Sequence, residues 1–330
     1  MKLLVTGGAG FIGTNFVRQT LSEHPQDEIL VLDKLGYAGK AENLAGLERC
    51  RLVVGDILDK DLVFDLAKDV DAIVHFAAES HNDNSLLNPD LFVQTNVVGT
   101  VHILEACREY KVRLHHISTD EVFGDLALDD PQKFTRLSPY KPSSPYSASK
   151  AAADMMVRAW VRSFGVFASI SNCSNNYGPY QHVEKFIPRM ITNRFLGVRP
   201  RVYGTGQNVR DWIHVDDHNH AVYKILETGK PGETYLLGAN GELSNLEVVR
   251  MLNKLMGYEE DDYELVSDRA GHDRRYAIDA RESYRELDWT PEYTNFELGL
   301  SSVITWYKNH PEFWEADKAQ VEAQYKMQGK

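Results

Sequence analysis

Short, uniformly apolar runs alternate with longer amphipathic runs in the first half of the chain. The apolar runs predict β-strands at residues 2–6, 29–32, 52–54, 72–75, 113–117 and 167–171. The amphipathic runs predict helices at residues 11–22, 60–67, 91–110 and 146–164. Strands that are apolar on both faces are typical of a sheet covered by helices on both sides, so the alternation predicts an α/β fold with a doubly wound parallel sheet.

The pattern becomes irregular beyond about residue 177, where Pro and Gly interrupt short segments such as Gly197-Val198-Arg199-Pro200. This change predicts two domains, residues 1–176 and residues 177–330, of which the second is a smaller α/β lobe. Residues around 210–220 resemble a helix and residues 233–237 a strand, and we expect segments near 210–240 to return to the first domain. The polar tail after Trp314 predicts a solvated helix.

A glycine-rich loop, Gly7-Gly8-Ala9-Gly10-Phe11-Ile12-Gly13, follows the first predicted strand directly and opens a helix. Free backbone N–H groups at a helix N-terminus bind a dinucleotide pyrophosphate, and glycine lets the backbone approach it closely. Asp33 ends the second strand about 20 residues after Gly13, where a carboxylate accepts from ribose hydroxyls and repels the 2'-phosphate of NADP. These features predict a Rossmann-type NAD-binding domain, whereas the loop alone is also compatible with an unliganded turn.

Two pairs of side chains indicate acid–base chemistry. Tyr146 and Lys150 lie one helical turn apart, and a nearby ammonium lowers the pKa of a phenol, although such a pair alone is often accidental. Asp120 and Glu121 follow the fifth strand, and adjacent carboxyl groups titrate as a coupled pair in which one stays protonated longer. The alternative for this second pair is a solvated strand end or a helix cap.

The glycine loop together with Tyr146 and Lys150 resembles the extended short-chain dehydrogenase/reductase family, which acts largely on nucleotide-sugars. Within that family, Thr119-Asp120-Glu121 is similar to a segment of the dTDP-glucose 4,6-dehydratases. Further similar segments occur in the family's order over almost the whole chain, among them Ala77-Ala78-Glu79-Ser80-His81, Ser174-Asn175-Asn176-Tyr177 and Arg269-Ala270-Gly271-His272-Asp273.

The resemblance implies a hydro-lyase that oxidises the sugar at C4, eliminates water across C5–C6 and returns the hydride to C6. The product would be a 4-keto-6-deoxy sugar for deoxysugar biosynthesis, such as that of rhamnose. Thr119 would hold the C4 oxygen and Tyr146, assisted by Lys150, would remove the proton of the C4 hydroxyl. Glu121 would abstract the C5 proton, and Asp120 would protonate the departing C6 hydroxyl.

The resemblance also implies the binding residues of a tightly bound NAD and of the dTDP-glucose substrate. The NAD contacts would be Gly7, Gly10, Phe11, Ile12, Gly13, Asp33, Lys34, Leu35, Asp56, Ile57, Phe76, Ala77, Ala78, Ser80, Thr95, Tyr146, Lys150 and Asn176. Besides Thr119, Asp120 and Glu121, the substrate contacts would be Ser80, His81, Asn175, Lys185, Phe186, Arg201, Tyr203, Arg210, Asn245, Arg269 and His272.

The family's mode of assembly implies a homodimer formed by the predicted helices 91–110 and 146–164. These helices carry more apolar side chains than one lobe needs, namely Val93, Val97, Val101, Met155, Met156 and Trp160. The alternative is that the same side chains only cover the sheet.

The charge and composition of the chain argue against several other classes of protein. A formal net charge of -12 argues against binding to nucleic acid or to an acidic membrane surface. No stretch approaches the roughly 20 apolar residues of a membrane span. Cys50, Cys107 and Cys173 are scattered and the histidines lie on different elements, so we expect no disulfide framework, no metal site and a cytoplasmic location.

Three functions remain to be distinguished from dTDP-glucose dehydration. A nucleotide-sugar 4-epimerase shares the Tyr and Lys but has no need for the Asp120-Glu121 pair. A 4,6-dehydratase could act on UDP-glucose instead, since thymine and uracil differ by one methyl group. A non-catalytic NAD-sensing protein on this fold would be expected to lack the Tyr or the Lys.

Overall fold

The computed structural model describes residues 1–268 and 272–327. Its strands are β1 (Lys2–Thr6), β2 (Glu28–Asp33), β3 (Cys50–Val54), β4 (Ala72–His75), β5 (Arg113–Thr119), β6 (Ala168–Cys173), β7 (Asn175–Tyr177), β8 (Arg201–Tyr203), β9 (Val209–His214), β10 (Thr234–Leu237), β11 (Glu242–Ser244) and β12 (Glu264–Val266). Its α-helices are α1 (Phe11–Glu23), α2 (Lys60–Ala67), α3 (Asn82–Leu87), α4 (Pro89–Phe92), α5 (Thr100–Tyr110), α6 (Pro145–Phe164), α7 (Phe186–Phe195), α8 (Val215–Thr228), α9 (Asn245–Leu255), α10 (Arg281–Leu287), α11 (Phe296–Asn309) and α12 (Pro311–Met327).

Seven parallel strands form the large sheet, in the order β3-β2-β1-β4-β5-β6-β10. Along β1, Leu3 and Val5 enter one buried cluster with α1 and α8, whereas Leu4 enters a second cluster with α2, α5 and α6. Successive side chains of a strand point to opposite faces, so both faces of the sheet are covered. The predicted Rossmann-type doubly wound fold is confirmed.

The direction of winding reverses between β1 and β4, since the chain proceeds outward from β1 to β3 on one side and from β4 to β6 on the other. Strands β1, β2, β4 and β5 end at this edge in Thr6, Asp33, His75 and Thr119. In open parallel sheets the crevice at such a reversal is where ligands bind, so the fold places the site here.

The second lobe is built from two small sheets and several helices. Its sheets are β11-β9-β7 and β12-β8, and its core packs side chains of α7, α9 and α11, including Ile187, Leu252 and Tyr307. The predicted helix at 210–220 is wrong for its first half, because Val209–His214 is strand β9, paired with β7 and β11. Strand β10 lies in the large sheet, where it pairs with β6. Helix α8 packs against α1.

The predicted helix at 91–110 is confirmed, but it is not a regular α-helix throughout. Helix α4 is followed by a π-helical turn over Val93–Gly99 and then by α5. The π turn brings Asn96 inward, where it is 1% exposed and where its amide accepts from Glu79 N at 2.8 Å and donates to Glu79 O at 3.0 Å. Such turns occur preferentially at functional sites, and this one fixes the segment that follows β4.

The tail after Trp314 is helical, but the prediction that it is solvated is wrong. Helix α12 buries Trp314, Lys318 and Val321 against the second lobe. The buried ammonium of Lys318 donates to Glu322 at 2.8 Å, and Glu322 also pairs with Arg189 at 3.0 Å. A charged side chain is tolerated inside a protein when it is paired in this way. The polar sequence of the tail does not reveal this pairing.

Within the two described ranges, no helix has both the length and the apolarity of a membrane span.

Candidate active site

A cavity of about 340 Å³ opens at the winding reversal of the large sheet. It is lined by all five predicted catalytic residues and by every predicted cofactor residue except Leu35. The Leu35 side chain packs against the core, and its N–H donates to Asp33 Oδ1 at 2.8 Å. Its contact with the cofactor stays a prediction.

The glycine loop is shaped by two contacts that exclude a side chain. Gly7 has a φ of +72°, and a Cβ there would lie 2.6 Å from Ala77 N. A Cβ at Gly13 would lie 2.3 Å from Gly7 O. At the N-terminus of α1, Gly10 provides no side-chain cap and a Cβ there would meet only Gly7 O, at 3.5 Å. The helix end can thus take an anionic group such as a pyrophosphate.

The carboxylate of Asp33 fixes the loop to the end of β2. Its two oxygens accept from Ala9 N at 3.0 Å and from Leu35 N at 2.8 Å, and the side chain lines the cavity. Burial raises the pKa of Asp33, while these backbone donors and Lys34 oppose the rise. Lys34 itself pairs with Glu79 at 2.7 Å, so its charge is already engaged.

We expect Asp33→Asn to weaken NAD binding and to reduce the preference for NAD over NADP. The substitution removes the negative charge that repels a 2'-phosphate. It also replaces one of the two oxygens that accept from backbone N–H groups by an NH₂ group, which can only donate. A hydrogen bond to a charged group corresponds to roughly a tenfold or larger change in affinity. Titrations of both cofactors against wild type and variant check this, and an unchanged ratio of the two dissociation constants would contradict it.

Several polar atoms that face the cavity are buried without a hydrogen-bond partner among residues 1–268 and 272–327. They are Thr95 Oγ1, Asp120 Oδ2, Ser174 Oγ, Asn175 Oδ1, Asn176 Oδ1 and Glu184 Oε1. Buried polar groups are almost always hydrogen-bonded in folded proteins. A cluster of unpaired ones around a glycine loop and a carboxylate therefore fits a large polar ligand such as a dinucleotide with a sugar substrate.

The acidic pair follows β5 as the first turn of a 3-10 helix over Asp120–Phe123. The Thr119 hydroxyl accepts from Glu121 N at 3.2 Å and donates to Asp120 Oδ1 at 3.4 Å. Asp120 is 1% exposed, and burial, followed by the charges of Glu121 and Asp211, raises its pKa well above the ordinary value. Asp120 is thus held in the protonated form that a general acid needs.

Tyr146 and Lys150 lie at the beginning of α6, and the Lys150 ammonium donates to Ile117 O at 2.7 Å. Burial raises the pKa of Tyr146 well above its usual value, the charge of Glu121 adds to the rise, and the Thr119 hydroxyl opposes it. The lowering of this pKa that the spacing to Lys150 predicts is therefore not found in the protein alone. A positively charged ligand beside the phenol would favour its ionisation.

Asp154, one turn after Lys150 on α6, is fully buried behind the cavity. Its Oδ2 accepts from Ser118 Oγ at 2.9 Å, from Tyr140 OH at 2.9 Å and from Asn172 Nδ2 at 3.1 Å. Asn172 also donates to Thr119 O at 3.0 Å, which links this carboxylate to the strand end that carries the catalytic segment.

The charge of Asp154 is balanced by its surroundings. His116 Nε2 lies 3.3 Å from Asp154 Oδ1. Burial by itself would raise the pKa of Asp154, but the contacts with His116, Lys150 and Ser118 outweigh burial and lower it. Burial lowers the pKa of Lys150 in turn, and the charge of Asp154 opposes that shift. Asp154 therefore acts as a buried counter-ion of Lys150 through its charge, although the two side chains form no direct ion pair.

Sequence reasoning missed three residues that organise the site: Asn82, Asn96 and Asp154. Asn82 and Asn96 are ordinary polar residues in helical segments, and their partners are distant in the chain. A signal did exist for two of them. Asn82 follows the segment after β4 at the ligand-binding edge, and Asp154 continues the spacing of four residues from Tyr146 to Lys150.

The predicted substrate residues fall into two groups. Ser80, Asn175 and Lys185 line the cavity, and His81 Nε2 lies 3.8 Å from Glu184 Oε2, which lines it too. A second group does not line it and lies on or beside the elements of the second lobe: Phe186, Arg201, Tyr203, Arg210, Asn245 and His272. Arg269 lies outside the described residues.

Some members of the second group lie close together. The rings of Tyr203 and His272 are 6.4 Å apart, and Arg210 donates to Asp273 O at 3.0 Å. The Arg210 guanidinium also stacks on Tyr276 at 4.2 Å. The charge of Arg210 also opposes the rise in the pKa of Asp120, and the contact of this second group with the nucleotide stays a prediction.

Comparisons with known proteins agree with this geometry. The family model described as GDP-mannose 4,6 dehydratase matches residues 4–302. A dTDP-glucose 4,6-dehydratase from Mycobacterium tuberculosis (strain H37Rv) is 61% identical over 330 residues, which is 100% of both chains. The crystal structure of DesIV, a dTDP-glucose 4,6-dehydratase from Streptomyces venezuelae solved with NAD bound, is similar with a TM-score of 0.92 and 45% identity, covering 96% of this chain and 99% of that one. A UDP-glucose 4-epimerase from Thermotoga maritima reaches a TM-score of 0.87 at 25% identity, covering 94% and 99%.

Proposed function

The chain belongs to the dTDP-glucose 4,6-dehydratases of the extended short-chain dehydrogenase/reductase family, and we propose that it dehydrates dTDP-glucose with NAD as cofactor. The observation that carries the proposal is the placement of Asp120 and Glu121 beside Tyr146 and Lys150 in one cavity. The first pair serves an elimination, and the second serves a reversible oxidation. The product is the 4-keto-6-deoxy sugar, and the cofactor is regenerated in each turnover.

The oxidation half-reaction uses Thr119, Tyr146 and Lys150. When bound, NAD supplies a positively charged nicotinamide that accepts the C4 hydride and later returns it to C6. The phenol oxygen of Tyr146 takes the proton of the C4 hydroxyl, and the Thr119 hydroxyl donates to the C4 oxygen. The Lys150 ammonium, held by Ile117 O, stabilises negative charge on the phenol oxygen.

The elimination half-reaction uses the acidic pair. A ketone at C4 acidifies the C5–H, and the ionised Glu121 abstracts that proton. Asp120, protonated because its pKa is raised, donates a proton to the C6 hydroxyl, so that the C6–O bond breaks and water leaves as the C5–C6 double bond forms. Hydride addition at C6 and return of a proton to C5 complete the product.

An incubation of the enzyme with dTDP-glucose in heavy water tests the proposed function. We expect a 4-keto-6-deoxy product with deuterium at C5 and with the original C4 hydrogen at C6. Recovery of the galactose derivative would identify a 4-epimerase, and unchanged substrate would identify a non-catalytic NAD-binding protein. A parallel incubation with UDP-glucose measures the preference for the base, which we expect to favour thymine by roughly tenfold or more.

For the assembly state we propose a homodimer. Helix α3, helix α4 and the π turn pack against α6, and the combined surface exposes Leu87 (73%), Val93 (49%) and Met155 (48%). Met156 and Trp160, by contrast, pack on the core cluster beneath the sheet and serve to cover it. An exposed apolar surface built from several elements is typical of a protein–protein interface.

We expect light scattering at micromolar concentration to give the mass of a dimer, and the double substitution Leu87→Asp and Met155→Asp to shift it to that of a monomer. Charges placed in an apolar interface lack partners and weaken it strongly. Leu298→Asp is the matched control, because Leu298 is 68% exposed on α11 outside this surface. A wild-type mass of one chain, or a dimer that resists the double substitution, would contradict the proposal.

The domain division and the cellular location complete the proposal. The NAD-binding domain comprises residues 1–176 together with α8 and β10, and the nucleotide-sugar-binding domain comprises the rest of residues 177–330.

Cys107 and Cys173 are buried free thiols in the described structure, and Cys50 is a partly buried one. Reduced thiols support the cytoplasm as the place of action.

A further inference from the structure

The side chain of Asn82 reaches the acidic pair from a different part of the chain. Asn82 begins α3, after β4, and its Nδ2 donates to Glu121 Oε2 at 2.8 Å. The two residues are 39 positions apart in the sequence. The carboxylate of Glu121 thus accepts a hydrogen bond from a distant side chain, while the backbone N–H of Glu121 donates to the Thr119 hydroxyl.

The other end of the Asn82 amide is held as well. Its Oδ1 accepts from Ser144 Oγ at 2.8 Å. Because an ionised carboxylate can only accept hydrogen bonds, the NH₂ group must face Glu121 and the carbonyl must face Ser144. The orientation of the amide is therefore determined by Glu121, because a reversed amide would lose that bond, whereas the Ser144 hydroxyl can either donate or accept.

Ser144 is in turn the N-cap residue of α6. It accepts from Ser147 N at 3.1 Å, and the two residues form a capping box at the end of the helix that carries Tyr146 and Lys150. Asn82 thus joins the acidic residue that follows β5 to the N-terminus of the catalytic helix.

We propose that Asn82 is a positioning residue for the elimination step: its hydrogen bond holds the Glu121 carboxylate in the orientation that faces the substrate. The inference rests on the proposed function, in which Glu121 is the base at C5. A charge-assisted hydrogen bond donated to a carboxylate restricts its rotation. Asn82 has no comparable contact with Thr119, Tyr146 or Lys150, so it serves elimination and leaves the oxidation at C4 to the other residues.

Asn82→Ala tests the inference in the full-length holoenzyme. We expect C5 deuterium exchange and product formation from dTDP-glucose to fall roughly 10- to 100-fold, as for the loss of a hydrogen bond to a charged group. Reduction of the bound cofactor on mixing with substrate should change by less than about twofold.

Two further variants separate positioning from folding. Asn82→Asp keeps the shape and the acceptor for Ser144 but replaces the donor to Glu121 by an oxygen, so C5 exchange should fall at least as far as in Asn82→Ala, while reduction of the cofactor again changes by less than about twofold. Asn84→Ala, on the same helix, should match wild type in both half-reactions. Equal losses of oxidation and exchange in Asn82→Ala, or exchange at the wild-type rate in either Asn82 variant, would overturn the inference.

The failure of the proposed function gives a different result. If wild type shows no C5 exchange and no 4-keto-6-deoxy product, the assignment of Glu121 as base fails before Asn82 is considered. If wild type exchanges C5 and Asn82→Ala exchanges it at the same rate, only the inference about Asn82 fails.

Discussion

Glu121→Gln is expected to oxidise dTDP-glucose at C4 and then to stall, so that reduced cofactor accumulates on the enzyme. The amide cannot accept the C5 proton, whereas Thr119, Tyr146 and Lys150 remain in place for the hydride step. Loss of a general base lowers the rate by roughly 10²- to 10⁴-fold, and the loss should appear in product formation and in C5 exchange alike. Absorbance of the reduced cofactor and mass analysis of the sugar measure the two half-reactions separately.

Asp120→Asn is the matched variant of the other carboxyl group. It leaves the base intact, so C5 exchange should continue while loss of water slows by a comparable factor. Since the protonated form of Asp120 is the active one, product formation in wild type should fall as the pH rises through its raised pKa, and this basic limb should be absent from Asp120→Asn. Rapid C5 exchange in Glu121→Gln, together with no exchange in Asp120→Asn, would show that the two roles are reversed.

Asp154→Ala is expected to destabilise the protein by about 3–5 kcal/mol, because each buried donor left without its acceptor costs about 1–3 kcal/mol. The substitution leaves the Lys150 ammonium without its counter-ion and leaves the Ser118, Tyr140 and Asn172 donors without their acceptor. Chemical denaturation at neutral pH measures the loss. The pKa of Asp154 is lowered in the folded state, so its contribution is complete above about pH 4 and is lost only as the pH falls through the folded value.

Asp154→Asn separates charge from packing at the same position. The amide keeps the volume and one acceptor, so the loss of stability should be smaller than in Asp154→Ala. Removal of the negative charge lowers the pKa of Lys150 further, since Asp154 is what opposes its lowering by burial. If the activity needs the Lys150 ammonium, the basic limb of its pH profile should then lie at lower pH than in wild type. Equal stability of wild type and Asp154→Ala would show that Asp154 is not the counter-ion.

The approximate positions of the strands in the first half of the chain and the location of the glycine loop were predictable because their signals are local. An apolar run of β-branched residues forms a buried strand in many contexts, and Gly7 and Gly13 are required by the close approach of neighbouring backbone. The spacing of Tyr146 and Lys150 places them on one face of any helix, and the carboxyl pair after β5 needs only the strand end to reach the site. The resemblance to a known family then supplied the chemistry.

The tertiary structure alone decided the protonation states and the supporting contacts. Burial raises the pKa of Tyr146 in the protein alone, against the expectation from its spacing to Lys150, because desolvation depends on every segment packed around the phenol. Asn82 and Asp154 meet partners 39 and 36 positions away, at Glu121 and Ser118. The buried face of α12 likewise depends on pairing of Lys318 with Glu322 and on packing against a distant lobe. The sequence by itself determined which acid–base groups lie together in the cavity, and the packing of distant segments determined their hydrogen-bond partners and the direction of their pKa shifts.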